Sequence, residues 1–478
     1  MSLPLPLIRR FSHTHRLRTV ATALALLTAA CGSDDGTGGD GGSSCAGPKT
    51  QCEGDVCFVS APPCGPLTED TVWTADKKWV LQGGVFVGDG SAATKLTIEA
   101  GTQVFGETSS KAFLSVQRGS QLVAVGSKDK PIVFSSAKDK GKRARGDWGG
   151  VVLNGRAPVN GCDTPPCLSE GEGGSGKYGG DVADDSSGRL EYVRIEFAGH
   201  PITEDNELNG LALQGVGSGT VLDRIQIHMA ADDCLEFFGG TVNFKRVLCT
   251  GVSDDNLDWT DGWVGKGQFL VVQQYEDAGD NGIEADNNGD QNDALPRSAP
   301  VLSNLTLIGS PDSDKSDLGV LLREGTAGQI WNSVVVGWNQ ACFDVDHKAT
   351  FAVAKDGETT TGALVLKQSV LDCATTCLED NEKDAAGAAL TDPFALATWM
   401  LDAVFGNEIP KSNGTANAFA GLAAPFDTAS PGFAPKAGSP AATGFAPLAD
   451  PFFETVGYRG AVDPADDWTA GWTTSERN

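Results

Sequence analysis

The chain predicts an all-β solenoid, a right-handed parallel β-helix, and three observations carry that expectation. First, one short phrase recurs: Asn209–Leu213, Asp233–Phe237, Asp255–Trp259, Asn281–Ala285, Leu318–Leu322 and Ala341–Val345. The copies step by 24, 22, 26, 37 and 23 residues, the period of a stacked solenoid unit. Second, every copy but the last is followed by another apolar run, as in Val221–Ile227 and Val301–Leu307. Third, Gly, Asn and Asp separate the runs and supply turns, and helical periods are few before residue 380. Roughly 300 residues in coils of about 23 would give about 13 coils and a rod of about 60 Å.

The elements follow in chain order. Residues 1–30 read as an export signal: Arg9, Arg10, Arg16 and Arg18 precede the apolar stretch Val20–Ala30, which is too short to span a bilayer. The signal ends Leu27-Thr28-Ala29-Ala30-Cys31. That end resembles the lipobox of bacterial lipoproteins, with Thr28 where Leu is usual, and implies a lipid on Cys31. Residues 31–44 are a Gly-, Ser- and Asp-rich tether. Gly32, not Asp, follows Cys31, so the expected address is the outer membrane, with the domain facing outward. Residues 45–71 form a Cys-rich cap, residues 72–377 the β-helix, and residues 378–478 a C-terminal cover. The cover opens with an Ala-rich stretch, Asp384–Val404, expected to be helical. Residues 157–187 read as a loop leaving the coil, and Asn287–Ala299 as a second insertion.

Charge narrows the partners. The net charge is −27, and residues 1–30 hold four Arg and no acid, so the chain from Cys31 carries −31. Nucleic acid and anionic lipid surfaces are thereby excluded as partners. One stretch runs the other way: Lys128, Lys130, Lys138, Lys140, Lys142, Arg143 and Arg145. It is either a solvated loop or a dock for an anionic glycan or acidic protein.

Twelve cysteines in an exported chain imply disulfides. Cys45, Cys52, Cys57 and Cys64 make two bridges of unreadable connectivity; without a Cys-x2-Cys pair they are a poor zinc site. Cys162 pairs with Cys167, Cys234 with Cys249, and Cys373 with Cys377. Cys342 is then the odd thiol, unless it takes Cys373 from the next coil.

Alternation separates inside from outside. Leu211, Leu235, Leu257, Ile283, Val320 and Phe343 form an inward column, and Trp259 also points in. Outward stand Glu236, Asp258 and Glu284, with Asp286 two places on. Asp233 and Asp255 sit at the preceding turn, and Asp232, Asp254 and Asp280 one place earlier. Carboxylates on adjacent coils would lie about 5 Å apart, and two such charges repel by about 3 kcal/mol at an effective dielectric of about 20. Three readings stand: turn residues bonding their own backbone, calcium ligands at Asp233, Glu236, Asp254, Asp255, Asp258, Asp280, Glu284 and Asp286, or catalysis by Asp232, Asp233, Asp254 and Asp255. Trp263 and Tyr275 are candidates for stacking on a sugar.

Specific phrases carry a family resemblance over residues 72–473. They include Leu96–Thr102 (LTIEAGT), Gly146–Gly150 (GDWGG), Phe238–Val242 (FGGTV), Asp254–Gly262 (DDNLDWTDG) and Trp468–Trp472 (WTAGW). In these the chain resembles bacterial surface lipoproteins of pectin-lyase-like, right-handed β-helix type. The resemblance implies fold and location rather than chemistry. Ala231–Leu235 also resembles the Gly-Asp-Asp-Cys-Ile phrase of polygalacturonase-type glycosidases, but the Gly-His-Gly and Arg-Ile-Lys phrases of that group are missing. A lyase would need calcium and an Arg or Lys base, with Arg194, Arg224 and Arg323 available. The expected function is an outer-membrane-anchored binding or structural module for a polysaccharide or an envelope protein. The alternative is a calcium-dependent polysaccharide lyase or a polygalacturonase-like hydrolase.

Overall fold

Each coil is built from three short strands separated by corners. In the computed structural model the repeated phrase forms one face: nine parallel strands running from Gly84–Val87 to Asp344–Val345. The described residues are 49–60, 65–162, 164–203, 206–356, 359–378, 394–410 and 417–478. Register between copies is in phase: Leu211 pairs with Leu235, Leu235 with Leu257, and Leu257 with Ile283. The inward column from Leu211 to Phe343 is fully buried, and so are Phe237 and Trp259. Each such side chain contributes about 1.5–3 kcal/mol by leaving water.

The second and third strands of a coil are two halves of one long strand, bent at a single residue. In successive coils the bend falls at Tyr192, Arg224, Arg246, Phe269, Asn304, Asn332 and Gln368, all with φ between 51° and 67°. Only Asn visits that region readily. The bulky occupants are held there because the residues on both sides pair in register with the coils above and below.

Nine layers, not about 13, make up the nine-stranded face among the described residues. The shortfall is spent on insertions. The loop 155–187 carries a small hairpin, Ser169–Glu170 with Lys177–Tyr178, and Pro201–Thr203 pairs with Asn206–Glu207 in another. The first insertion folds back over the outer side of the nine-stranded sheet. There Ser115, Gln117 and Asn154 donate to the Ser175 carbonyl, and Val159, Cys167 and Tyr178 pack on Phe238. The sheet is thus roofed over its early strands, while Glu236, Asp258 and Glu284 beyond them remain partly open.

At the N-terminal end, Lys49–Glu53 and Val56–Ser60 form an antiparallel hairpin, and its second strand pairs with Lys78–Gln82, covering the edge of the first coil. At the other end, Leu396, Trp399, Met400 and Phe405 join the main core. The expected helix over Asp384–Val404 is reduced to Leu396–Met400, residues 384–393 lying outside the described residues.

The C-terminal chain runs along the bent strands and is held by buried amides. Gln226 donates to and accepts from the backbone of Thr474 at 2.7 and 2.8 Å. Gln268 does the same with Glu454, and Asn332 with Ala446. The basic stretch joins this lacing: Lys140 pairs with Glu476, Lys138 with Asp147, Lys142 with Asp139 and Arg145 with Asp277. Four of its seven charges are therefore matched within the chain.

Four disulfides link described residues: Cys52–Cys57, Cys162–Cys167, Cys234–Cys249 and Cys342–Cys373. The expected Cys373–Cys377 pair is corrected. Cys342 enters the last strand of the nine-stranded face and Cys373 follows the bent strand of the same coil, their Cα atoms 5.5 Å apart, whereas Cys377 lies in the next layer, bridged to Phe343. Cys31, Cys45 and Cys64 lie outside the described residues.

Candidate metal centre

Three consecutive strands, Leu235–Phe238, Leu257–Thr260 and Ile283–Ala285, set Glu236 beside Asp258 and Asp258 beside Glu284. The turns entering these strands add Asp233 and Asp255. Carboxylate oxygens gather within 4.8 Å in four triads: Asp233–Glu236–Asp258, Asp233–Asp254–Asp255, Asp255–Asp258–Glu284 and Glu207–Asp232–Asp254. Asp280 and Asp286 complete the strip at its C-terminal end.

The turns are fixed by a side-chain ladder. Asp233 Oδ1 accepts the Asp255 N–H at 2.9 Å, and Asp255 Oδ1 accepts the Asn281 N–H at 2.7 Å. Asn281 Oδ1 in turn accepts the Leu318 N–H at 3.3 Å. The backbone-bonding role expected of these turn residues is therefore present. It occupies Oδ1 of each carboxylate, and the same carboxylates enter the triads.

Electrostatics make the strip unusual. Burial, and then the neighbouring carboxylates, push Asp232, Asp233, Glu236, Asp255 and Asp258 well above the ordinary carboxylate range. Burial, moderated by Arg323, raises Glu284 to about 8; burial and Asp254 raise Asp280 to about 7. The cation among them is Arg323, which donates to both oxygens of Asp286 and to Glu284. A charge without a partner costs several kcal/mol where it is buried, which at Asp233 and Asp255 favours a proton or a nearby cation.

Two residues that the sequence did not single out reach the same place. Glu172, from the first insertion, lies 3.4 Å from Asn209 Nδ2, and burial with the charge of Glu207 raises it to about 8. Neither Glu172 nor Glu207 belongs to the repeat, so no periodic signal marks them.

The aromatic candidates require correction. Trp263 is fully buried, its ring 3.9 Å from that of Phe237 and its Nε1 donating to the Val242 carbonyl. It lies in a turn, where alternation no longer tells in from out. Tyr275 is buried with Phe197 and Met229, and Arg477 of the C-terminal chain covers its ring. Neither is presented to a sugar.

The basic candidates divide. Arg194 pairs with Glu196 and donates to Trp472, and Arg224 pairs with Asp223 and Glu191, all away from the strip. Only Arg323 lies on it. His228 does not serve as a partner: burial lowers it to about 4, and its nitrogens contact Thr250 and the Glu476 carbonyl.

The stacked three-stranded coil agrees with the comparison to protein families, in which residues 65–410 match the pectate-lyase-like β-helix domain. The chain belongs to that family. No curated protein and no solved structure matches it. In this pectate-lyase-like domain the donor set is all oxygen, largely anionic and partly open to solvent. Those properties fit a hard divalent cation.

Proposed function

We propose that this pectate-lyase-like domain binds a divalent cation, calcium foremost, at Asp233, Glu236, Asp255, Asp258 and Glu284, and through it holds a uronic-acid polysaccharide for cleavage by β-elimination. The observation that carries the reading is the set of carboxylate triads on a partly open face, with Arg323 paired to Glu284 and Asp286 at its edge. A cation held there would neutralise a uronate carboxylate and acidify the C–H beside it. The carboxylates position the ion; Arg323 supplies a positive charge at the edge of the same face. In its present pairing Arg323 stays charged, so it meets a sugar carboxylate rather than taking a proton. On leaving Glu284 and Asp286 it would give a proton to water and then take the one from the C–H; the C–O bond breaks as the C=C bond forms, and the departing oxygen takes a proton from water.

That pairing favours a second reading, a cation-dependent binding module that recognises the same polymers, or an envelope protein, without cutting. The hydrolase variant, with carboxyls such as Asp232 and Asp233 as acid and base, draws on the same raised carboxylates. We also infer export and outer-membrane anchoring through Cys31, supported by the lipobox-like end of the signal and by the four disulfides.

A panel of uronic-acid polymers separates these readings. Calcium-dependent unsaturated ends identify the lyase, and reducing ends without unsaturation the hydrolase. Calcium-dependent retention without new ends identifies the binder. Cleavage that persists in Asp258→Asn/Glu284→Gln would place the chemistry elsewhere.

A further inference from the structure

On the same sheet face, beyond Glu236, the outward residues turn from acidic to neutral. Phe238 pairs with Gln214 and Gln214 with Asn154; Ser115 and Gln117 stand at the end of the strand beyond. The inward residues of these strands, Leu114, Val116, Leu153 and Leu213, lie in the main core, so Ser115, Asn154 and Gln214 face out. All three are nevertheless fully buried. Stacked strands set such residues about 4.8 Å apart.

What buries them is the tip of the first insertion, Gly171–Gly176, four glycines in six residues. Its backbone lies directly on the amides: a methyl group at Gly171 would collide with Gln214 Oε1, and one at Gly176 with the Gln117 amide. Yet the tip is thinly anchored. Its turn Glu172–Gly174 buries no side chain. Ser115 Oγ, Gln117 Nε2 and Asn154 Nδ2 all donate to one acceptor, the Ser175 carbonyl, at 2.6, 2.7 and 3.1 Å, although a carbonyl has two lone pairs. Ser175 Oγ donates to Gln214 Oε1 at 3.3 Å. Meanwhile Asn154 Oδ1 and Gln214 Nε2, both buried, have no partner among the described residues. Turning the Gln214 amide over only exchanges which of its atoms goes without. Native interiors leave few such groups unpaired. The ladder thus offers more bonds than the tip returns, and it offers them as neutral donors and acceptors in a row, the complement of sugar hydroxyls. Glu172, in the same tip, lies 3.4 Å from Asn209 Nδ2, which also donates to Glu236. The tip therefore spans the gap between the ladder and the acidic strip.

We propose that Ser115, Asn154 and Gln214 form a concealed carbohydrate subsite, filled by the tip Gly171–Gly176 until further sugar units of a polymer on the strip displace it. The inference rests on the polysaccharide reading and adds to it a preference for long chains. Sugar hydroxyls replace the bonds of Ser175 and reach the two groups that the tip leaves unmet. The tip carries no apolar side chain for its removal to expose.

The test measures binding of tri- and hexagalacturonate to the mature chain in calcium by native mass spectrometry, which also registers any cleavage. Asn154→Ala/Gln214→Ala decides whether the ladder meets sugar or only tethers the tip. A subsite loses tenfold or more in hexamer affinity. A mere tether, once cut, frees the tip, and hexamer affinity that holds or rises overturns the proposal. Replacing Gly171–Gly176 by Asn-Gly, a two-residue turn suited to a hairpin, should tighten the hexamer at least threefold and leave the trimer within twofold. In the parent, saturating hexamer should speed hydrogen exchange over residues 169–178 threefold or more, and trimer should not. Protection of that segment by hexamer, or no change, overturns the proposal without any variant. Trimer binding with no gain at the hexamer rejects the subsite and keeps the strip. Binding of neither oligomer rejects the polysaccharide reading, and this inference with it.

Discussion

The acidic strip should make the cation-free protein less stable as pH rises, the opposite of ordinary acid denaturation. Glu172 and Glu284 are raised from 4.5 to about 8, and Asp280 from 3.8 to about 7. A carboxyl raised in the folded state binds more protons there than in the unfolded chain. Its stabilising contribution is full below the unfolded value and is lost as pH climbs through the folded one. Between pH 5 and pH 7 all three lie inside that window. One such group loses about 1.4 kcal/mol per pH unit, so the three together, which share their repulsion, lose several kcal/mol over two units; His228, lowered to about 4 by burial, works the other way and returns about 2 kcal/mol as pH rises from 5 to 6.5. For a chain of this size the net loss is a fall in Tm of a few degrees. Calcium competes with the protons, so its stabilising effect should be small at pH 5 and large at pH 7. The assay is a matrix of melting curves at pH 5, 6 and 7 in EDTA and in calcium. A Tm that stays level or rises with pH in EDTA, with no growing calcium response, would refute the reasoning.

The other expectations can be checked separately. Arg323→Ala removes the counter-charge of Glu284 and Asp286 and should cost about 3–5 kcal/mol in EDTA by denaturant unfolding; calcium should recover part of it. Truncation after Ala470 strips Arg194, Gln226 and His228 of their backbone partners; at about 1–3 kcal/mol per buried group, a loss of only tenths would show the tail is loosely held. Non-reducing peptide mapping should recover Cys342 joined to Cys373, and a Cys373–Cys377 peptide would contradict the coil register here. Globomycin should leave the precursor uncut, and a mature chain starting anywhere but Cys31 would end the lipoprotein proposal.

What the sequence revealed and what it hid follow from one physical distinction. Within a copy of the repeat the period is two, so Leu235 and Phe237 could be placed inside and Glu236 outside. Copies in phase must then stack, which aligned Glu236, Asp258 and Glu284. Outside the copies that logic lapses. Trp263 occupies a turn and folds inward despite its position, and Tyr275 is buried by a chain segment some 200 residues later. Glu172 and Glu207 arrive on insertions that obey no period. The corners were equally hidden: Tyr192 and Phe269 take a backbone conformation neither residue favours, because the stacked strands on either side leave no other.

The buried amides beneath the C-terminal chain give the protein a direction in time. Gln226, Gln268 and Asn332 lie in coils made early, yet the backbone groups that complete them come from Ala446, Glu454 and Thr474. A chain emerging from its N-terminus can stack coil upon coil, but this flank stays unfinished until Thr474 has appeared. Final closure therefore waits on synthesis of the segment from Ala446 to Thr474. Any prematurely terminated product would display a row of unfulfilled amides, a chemical mark of incompleteness open to quality-control proteases.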